Sequence, residues 1–296
     1  MTYEEQYLQM LGRVLVYGTD IPNERTGKMT KALFDYKLVV AESEFPFSTV
    51  RQAGPRPAFE ELWFFLSGKT QTKELEAKGI EFWKGNTSRE FLDSRGLTYL
   101  PEGDLGDAYS KQFTKFGSDG VSDGVNQVKK TYETLRDDPY SRRLVTSLWN
   151  PYDEPAMCLT PCWWSHQFVV LPSKHGDFLH MKLINRSLDA LFGCQFAVMQ
   201  YRMYQIALAK LLGMNVGKLV CDLTHVHLYE NQFEYTKELL TRSSNLDDCY
   251  SIDRVQIKKD LNTLDDLLSL KWEDWEIDVP WVNKDKFINE RPEMVA

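Results

Sequence analysis

The segment that most constrains the fold is the long, largely apolar run of residues 194–213, CQFAVMQYRMYQIALAKLLG. Its periodicity predicts an α-helix, and its apolar residues occupy nearly the whole circumference of that helix. A helix of this kind has no broad polar face to present to water, so neighbouring elements must cover it on all sides. We therefore expect it at the centre of the fold.

Strand-like and helix-like segments are mixed around this helix without a regular βαβ alternation. The runs HQFVVLP and FLHMKLINRS indicate two strands joined by a turn at residues 173–177, and KLVCDLTHVHLYEN indicates another strand. Helical periodicity marks residues 1–17, RPAFEELWFFLSGKT and DGVNQVKKTYETLRDDP, whereas residues 80–123 are rich in Gly and Asp and favour loops and short turns. The pattern predicts a single α+β domain over residues 1–296 with a large core sheet.

Composition narrows the possible partners. The formal net charge of −8 argues against general nucleic-acid binding, which needs a basic surface. The acidic, amphipathic N-terminus is not a secretory signal, and no apolar run approaches the roughly 20 residues of a membrane span. We therefore expect a cytoplasmic protein with neither a membrane nor a nucleic-acid partner.

The cysteines indicate neither disulfides nor a metal site. Their odd number argues against a disulfide framework, and their spacing does not match a set of metal ligands. They are Cys158, Cys162, Cys194, Cys221 and Cys249.

Several arginines are candidates for binding an anion. Guanidinium groups and a hydroxyl match the oxygens of phosphate, so a phosphate cradle is one interpretation of these residues, and solvated surface groups are the other. No Walker loop or G-x-G-x-x-G motif accompanies them. The candidates are Arg25, Arg142, Arg143, Arg186 and Ser187.

Long motifs in a fixed order then identify a family. The chain contains ERTG, FEELWFFLSGKT, FWKGNTSREFLDSRGLTYLPEGDLGDAY, PYSRRLVTSLWNPYD, TPCWWSHQF, NRSLDALFGCQFAV and HVHLY. In this order and at these intervals they resemble the thymidylate synthase superfamily, which includes deoxycytidylate and deoxyuridylate hydroxymethylases. The resemblance implies an α+β thymidylate synthase-like fold, with a large mixed sheet at a homodimer interface. It also implies a pyrimidine deoxynucleoside monophosphate as substrate and 5,10-methylenetetrahydrofolate as co-substrate, with no metal.

The resemblance assigns a role to individual residues. Cys162 matches the nucleophile, whose thiolate adds to C6 of the pyrimidine and makes C5 able to attack a one-carbon unit. Glu61 matches a proton relay, and Tyr109 matches a residue that assists proton removal at C5. The implied phosphate ligands are Arg25, Arg142, Arg143, Arg186 and Ser187, with Arg142 and Arg143 reaching the site from the partner subunit. The implied sugar ligands are His227 and Tyr229, and the implied folate contacts are Trp83, Asp189 and the terminal Ala296.

Departures from the family pattern cluster where the base is expected to bind. Ala197 stands where thymidylate synthases have an asparagine that selects uracil, and Trp163 replaces a histidine after the nucleophile. Thr224-His225 replaces Gly-Asp, and His166 replaces an apolar or aromatic residue. Base recognition is accordingly assigned to Ala197, Gln167, Trp163, His166 and His225.

These departures favour a changed base or product with preserved C5 chemistry. The prediction is a deoxycytidylate (dCMP) hydroxymethylase or methylase, with a setting such as a phage enzyme in the host cytoplasm. The alternatives are a thymidylate synthase or hydroxymethylase that uses deoxyuridylate (dUMP), and an inactive nucleotide-binding homologue. Trp163 adds apolar bulk beside the nucleophile, which would exclude water and favour a methyl product. Superfamily members with altered base sites are more often hydroxymethylases, so the prediction leans to the hydroxymethyl product.

Overall fold

The computed structural model describes residues 1–24, 26–51, 53–242, 251–278 and 289–295. Its first helix is α1 (Tyr3–Tyr17), which the sequence predicts over residues 1–17. The Thr2 hydroxyl accepts a hydrogen bond from the Glu5 amide, and the Glu5 carboxylate accepts one from the Thr2 amide. This reciprocal cap satisfies backbone donors that would otherwise lack partners and fixes the start of the helix.

Within the described residues, seven strands form one mixed sheet in the order β1–β2–β7–β5–β4–β3, with β6 paired to β7. Strand β7 runs parallel to β5 and antiparallel to β2, and β4 runs antiparallel to both β5 and β3. The predicted α+β fold with a large mixed sheet is thereby confirmed. The strands are β1 (Thr19–Asn23), β2 (Lys28–Val40), β3 (Val145–Ser147), β4 (Trp163–Ser173), β5 (Gly176–Asn185), β6 (Leu188–Asp189) and β7 (Asn215–Tyr229).

The long apolar run forms helix α7 (Gly193–Leu212), which connects β6 to the parallel strand β7. Every residue from Ala197 to Ala209 is buried, and the helix packs against β5, β7 and a second helix, α2 (Pro55–Leu66). It ends at Gly213, whose φ of 65° is a left-handed conformation that glycine adopts without steric cost. The central position predicted from its apolar circumference is confirmed.

The remaining helices lie around this core. Residues 80–123, predicted as loops and turns, contain two short helices, because hydrogen-bonding caps such as Ser88 start a helical turn without any long apolar periodicity. None of the described helices is long and apolar enough to cross a membrane. The other elements are α3 (Lys73–Glu76), α4 (Arg89–Ser94), α5 (Tyr109–Thr114), α6 (Gln127–Asp137), α8 (Phe233–Thr241), α9 (Leu264–Leu268) and the hairpin β8 (Val255–Ile257) with β9 (Trp275–Ile277).

One edge of the sheet gathers the chemically interesting residues. The first residue of β4 pairs with the last residue of β5, so Cys162 and Arg186, which flank that pair, become neighbours. Strand β6 pairs with the end of β7 and places Asp189 opposite His227. Helix α7 starts four residues after Asp189, so the strand ends and the helix N-terminus open onto the same space.

Candidate active site

Cys162 lies directly before β4, and two groups hold its backbone in place. The Tyr109 hydroxyl accepts a hydrogen bond from the Cys162 amide at 2.7 Å. The Arg186 amide donates to the Cys162 carbonyl at 2.9 Å. With both backbone groups engaged, the position from which the thiol side chain projects is fixed.

The Arg186 guanidinium organises the turn that carries the cysteine. It donates to the carbonyls of Pro161 at 3.0 Å and Thr160 at 2.8 Å, and its Nη2 lies 3.9 Å from Sγ of Cys162. A cation at this distance favours the thiolate over the neutral thiol by Coulomb attraction. The same group therefore shapes the turn and supplies positive charge at the sulfur.

Two cavities meet at Cys162. The first, of about 320 Å³, is polar and contains both side chains that the sequence assigns to the sugar and two of the five that it assigns to phosphate. Its lining includes Arg186, Ser187, His225, His227 and Tyr229. The Nδ1 atoms of His225 and His227 lie 3.2 Å apart, so one imidazole donates to the other and the tautomers of the two rings are linked.

The second cavity, of about 270 Å³, is mostly apolar and extends from Cys162 toward α2 and the start of α7. Its wall includes Trp83, Tyr109, Trp163, Phe192 and Phe196. Such a cavity offers flat apolar surface to ring systems.

Glu61 is the carboxylate of this apolar cavity. Its Oε1 accepts from the Trp83 indole at 2.5 Å, and its Oε2 accepts from the Gln200 side-chain amide. Burial raises the pKa of Glu61 from 4.5 to about 7, while the two hydrogen bonds act in the opposite direction. A carboxyl group with this pKa exchanges protons readily at neutral pH, which suits a proton relay.

Tyr109 belongs to an aromatic stack behind the nucleophile. Its ring stacks on Phe65 with centroids 4.9 Å apart and meets Trp83 edge-on at 6.0 Å. Burial raises the pKa of the Tyr109 hydroxyl well above its usual value, and the neighbouring Cys162 raises it further. The hydroxyl thus keeps its proton while accepting from the Cys162 amide.

Asp189 links the two cavities, because it lines both of them. Its Oδ1 accepts from the amides of Leu191 and Phe192 at 3.0 and 3.1 Å, and its Oδ2 accepts from the Gln232 side chain at 2.9 Å. Burial raises the pKa of this carboxyl group, whereas the hydrogen bonds oppose that effect. The carboxylate holds the turn before α7 against the segment that follows β7.

The residues assigned to base recognition occupy different places. Ala197 and Trp163 line the apolar cavity, and His225 lines the polar cavity. His166 is buried among aromatic rings with its Nδ1 unpaired, and burial lowers its pKa to about 3, so it is neutral at physiological pH. Gln167 pairs with Val145 across the sheet and lines neither of the two cavities.

Other predicted site residues lie away from these cavities or outside the described residues. Arg142 and Arg143 are exposed and line neither cavity of their own chain. Arg25 and Ala296 lie outside the described residues. The segment just before Ala296 does reach the site, since Met294 and Val295 line the apolar cavity.

Sequence reasoning missed two amides in the wall, Asn86 and Gln200. Gln200 follows Ala197 by three residues on a predicted helix, and this spacing places two side chains on one face. That signal was available in the sequence. Asn86 lies in a turn with no periodicity, so no comparable signal marks it. Among the described residues, no group of three or more His, Cys, Asp or Glu side chains is arranged to hold a metal ion.

Comparison with known proteins gives a consistent result. A family model described as "Thymidylate synthase" matches residues 5–278. The thymidylate synthase of Saccharomyces cerevisiae is 32% identical over 290 residues, which cover 93% of this chain and 92% of the yeast protein. That of Agaricus bisporus is 35% identical over 251 residues, covering 81% and 84%. That of Homo sapiens is 32% identical over 283 residues, covering 93% and 86%.

These relatives overturn the expectation of a dCMP hydroxymethylase or methylase, because all three carry the name thymidylate synthase. The expectation rested on departures from the family pattern near the base. The structure weakens that inference, since His166 and Gln167 line neither cavity and His225 lines the polar one. Side chains that do not reach the base carry no information about its identity.

Proposed function

The chain belongs to the thymidylate synthase family of one-carbon transferases, and on this premise we propose that it methylates dUMP to dTMP with methylenetetrahydrofolate as co-substrate. The observation that carries the proposal is the position of Cys162 where the two cavities meet. The polar cavity suits a sugar phosphate, and the apolar cavity suits the stacked rings of a base and a folate.

In this proposal the polar cavity orients the nucleotide. Arg186 and Ser187 bind phosphate oxygens, and His227 and Tyr229 hydrogen-bond the sugar hydroxyl. The base then enters the apolar cavity with C6 next to Sγ of Cys162. Positioning of this kind converts the attack of sulfur on C6 into an intramolecular step.

The chemistry begins when the Cys162 thiolate adds to C6. The new S–C6 bond places an electron pair at C5, which attacks the methylene carbon of the folate while the bond from that carbon to N10 breaks and its electron pair goes to nitrogen. Glu61, with a pKa near neutral, exchanges protons with the O4 region and the folate nitrogen, while Tyr109 lies beside the C5 proton that must leave. Loss of the C5 proton breaks the bond from the methylene carbon to N5 and leaves an exocyclic methylene. Hydride from the tetrahydrofolate then completes the methyl group as the S–C6 bond breaks and the C5–C6 double bond returns, and the folate leaves as dihydrofolate.

The apolar wall supports a methyl product rather than a hydroxymethyl product. Capture of the exocyclic methylene by water would give hydroxymethyl, so the outcome depends on whether water reaches that carbon. Trp163 is 7% exposed and lies with Leu159 and Phe196 on the wall next to Cys162. An apolar wall offers water few hydrogen bonds, which favours hydride as the reagent that completes the reaction.

The proposal includes a homodimer in which Arg142 and Arg143 complete the partner's phosphate site. The outer face of the sheet supports it, because Val145, Val169 and Leu171 are 51%, 41% and 53% exposed on the adjacent strands β3 and β4. An apolar sheet face of this kind suits a symmetric interface in which both subunits use the same surface. Arg142 and Arg143 lie three and two residues before the start of β3, at the edge of that face.

The direct test is to incubate the protein with methylenetetrahydrofolate and either dUMP or dCMP and to identify the products by mass. We expect dTMP and dihydrofolate from dUMP. Release of tritium from C5 of labelled dUMP reports the earlier steps independently. A hydroxymethyl product, or tritium release from labelled dCMP alone, would contradict the proposal.

A further inference from the structure

One residue in the wall of the apolar cavity, near the start of α7, has no hydrogen-bonding group in its side chain. Ala197 lines the cavity and contributes only a methyl group, which neither donates nor accepts a hydrogen bond. The edge of uracil carries an N3–H donor and an O4 acceptor, and leaving such groups buried without partners is unfavourable. If dUMP is the substrate, as proposed above, another side chain must meet that edge.

Gln200 is placed to do so. It lines the same cavity three residues after Ala197, so both side chains lie on one face of α7. Side chains of an α-helix lean toward its N-terminus and cover the preceding turn. The Gln200 side chain therefore leans over the space that the small Ala197 side chain leaves open.

The hydrogen bonds of Gln200 fix the orientation of its amide. Nε2 of Gln200 donates to Oε2 of Glu61, so the amide presents its NH₂ group to that carboxyl group. The second N–H of that group remains for a ligand. Oε1 of Gln200 hydrogen-bonds to no other residue in the described part of the chain, so it is available as an acceptor.

The other polar groups of the wall are less suited to this role. The Tyr109 hydroxyl accepts from the Cys162 amide, and the Asp189 carboxylate accepts from Leu191, Phe192 and Gln232. Asn86 lines both cavities and so lies where they join, whereas Gln200 lines the apolar cavity alone. Among the described lining residues, Gln200 is thus the side-chain amide that belongs to the apolar cavity alone.

We infer that Gln200 reads the base: its Oε1 accepts from N3–H of uracil, and its Nε2 donates to O4. Cytosine presents the opposite pattern, with an acceptor at N3 and an amino donor at position 4. A freely rotating amide could flip to match cytosine, but the bond to Glu61 holds Gln200 in the orientation that matches uracil. The inference rests on the proposed function, and it makes Gln200 together with Glu61 the source of base specificity.

The test measures dissociation constants of dUMP and dCMP by titration calorimetry, which requires no catalysis. The variant Gln200→Met keeps the length of the side chain and removes its hydrogen bonds. We expect wild-type protein to prefer dUMP and this variant to lose about 10- to 100-fold of that preference. Adding Ala197→Asn to Gln200→Met supplies a new amide one turn away and is expected to restore preference for dUMP.

Two further variants complete the design. Gln200→Asn keeps the amide but shortens its reach, and it is expected to lose preference as well, which covers the case in which Gln200→Met fails to fold. The exposed Gln9→Met on α1 is the matched control and should behave as wild type. A preference unchanged within about twofold in folded Gln200 variants would overturn the inference, as would wild-type protein without preference. Failure of the proposed function is seen separately, as an absence of dTMP formation by wild-type protein.

Discussion

The Tyr109 hydroxyl and the Cys162 backbone amide form a 2.7 Å hydrogen bond across 53 residues of sequence. The amide donates, the ring is held by stacking on Phe65, and the bond joins the start of α5 to the residue that carries the thiol. This contact couples the position of the nucleophile to the aromatic wall of the apolar cavity.

Tyr109→Phe removes the acceptor and leaves the Cys162 amide without that partner. We expect the free energy of unfolding to fall by about 1–3 kcal/mol, because the buried amide loses its acceptor. We expect dUMP turnover to fall by at least tenfold, because the hydrogen bond that positions the Cys162 backbone is lost. Denaturant unfolding and steady-state kinetics measure the two effects. The exposed Tyr152→Phe is the control and should change neither. Full activity in Tyr109→Phe would show that the bond does not position Cys162.

Cys162→Ala removes the proposed nucleophile while leaving the fold intact, because the side chain lies on a cavity wall. We expect loss of both dTMP formation and tritium release from C5 of dUMP, since both follow the addition of sulfur to C6. The matched control is Cys158→Ala: that thiol is buried four residues away, and burial raises its pKa to about 12. Tritium release that persists in Cys162→Ala would rule out this cysteine as the nucleophile.

Glu61→Gln tests the raised pKa. In wild-type protein the folded state holds a proton between pH 4.5 and about 7 that the unfolded chain has lost. The free energy of unfolding contributed by Glu61 therefore falls as pH rises through this window, by at most about 1.4 kcal/mol per pH unit. Glu61→Gln should remove this slope and depress turnover. Chemical denaturation at several pH values measures it, and an identical slope in the variant would contradict the assignment.

His166→Phe tests a lowered pKa, which is the opposite of the shift at Glu61. Burial lowers the pKa of His166 from 6.5 to about 3, so its contribution to stability is complete above pH 6.5 and is lost as pH falls toward 3. The loss is up to about 1.4 kcal/mol per pH unit. Phenylalanine fits the aromatic surroundings and does not titrate, so the variant should unfold less readily in acid. The exposed His175→Phe is the control, and equal acid sensitivity of His166→Phe and wild type would refute the prediction.

Mixed dimers test the shared phosphate site. The double variant Arg142→Ala, Arg143→Ala and the variant Cys162→Ala should each be inactive. Randomly mixed subunits should recover about a quarter of wild-type activity, because half of the dimers contain one complete site out of two. The control is Arg136→Ala, at an exposed arginine outside the pair. This variant should be fully active before any mixing. No recovery in a confirmed mixture would contradict the shared site.

Local patterns predicted much of the fold. The apolar circumference of residues 194–213 placed α7 at the centre, and two strand-like runs about a turn indicated the hairpin of β4 and β5. The short helices α4 and α5 were missed, because a helix of one or two turns shows no period. The fixed order of the motifs indicated the family and placed Cys162, Glu61 and Tyr109 in one site.

The sequence by itself determined the family, the central helix and the identity of Ala197, because each depends on residue types and spacings along one stretch of chain. Only the tertiary structure decided which neighbours of Cys162 reach the cavities. A bulge between Trp163 and Ser165 interrupts the two-residue alternation of β4, so Trp163 and His166 are both buried, yet only Trp163 lines a cavity. The contact between Gln200 and Glu61 likewise joins residues 139 positions apart, and it exists because α2 packs against α7.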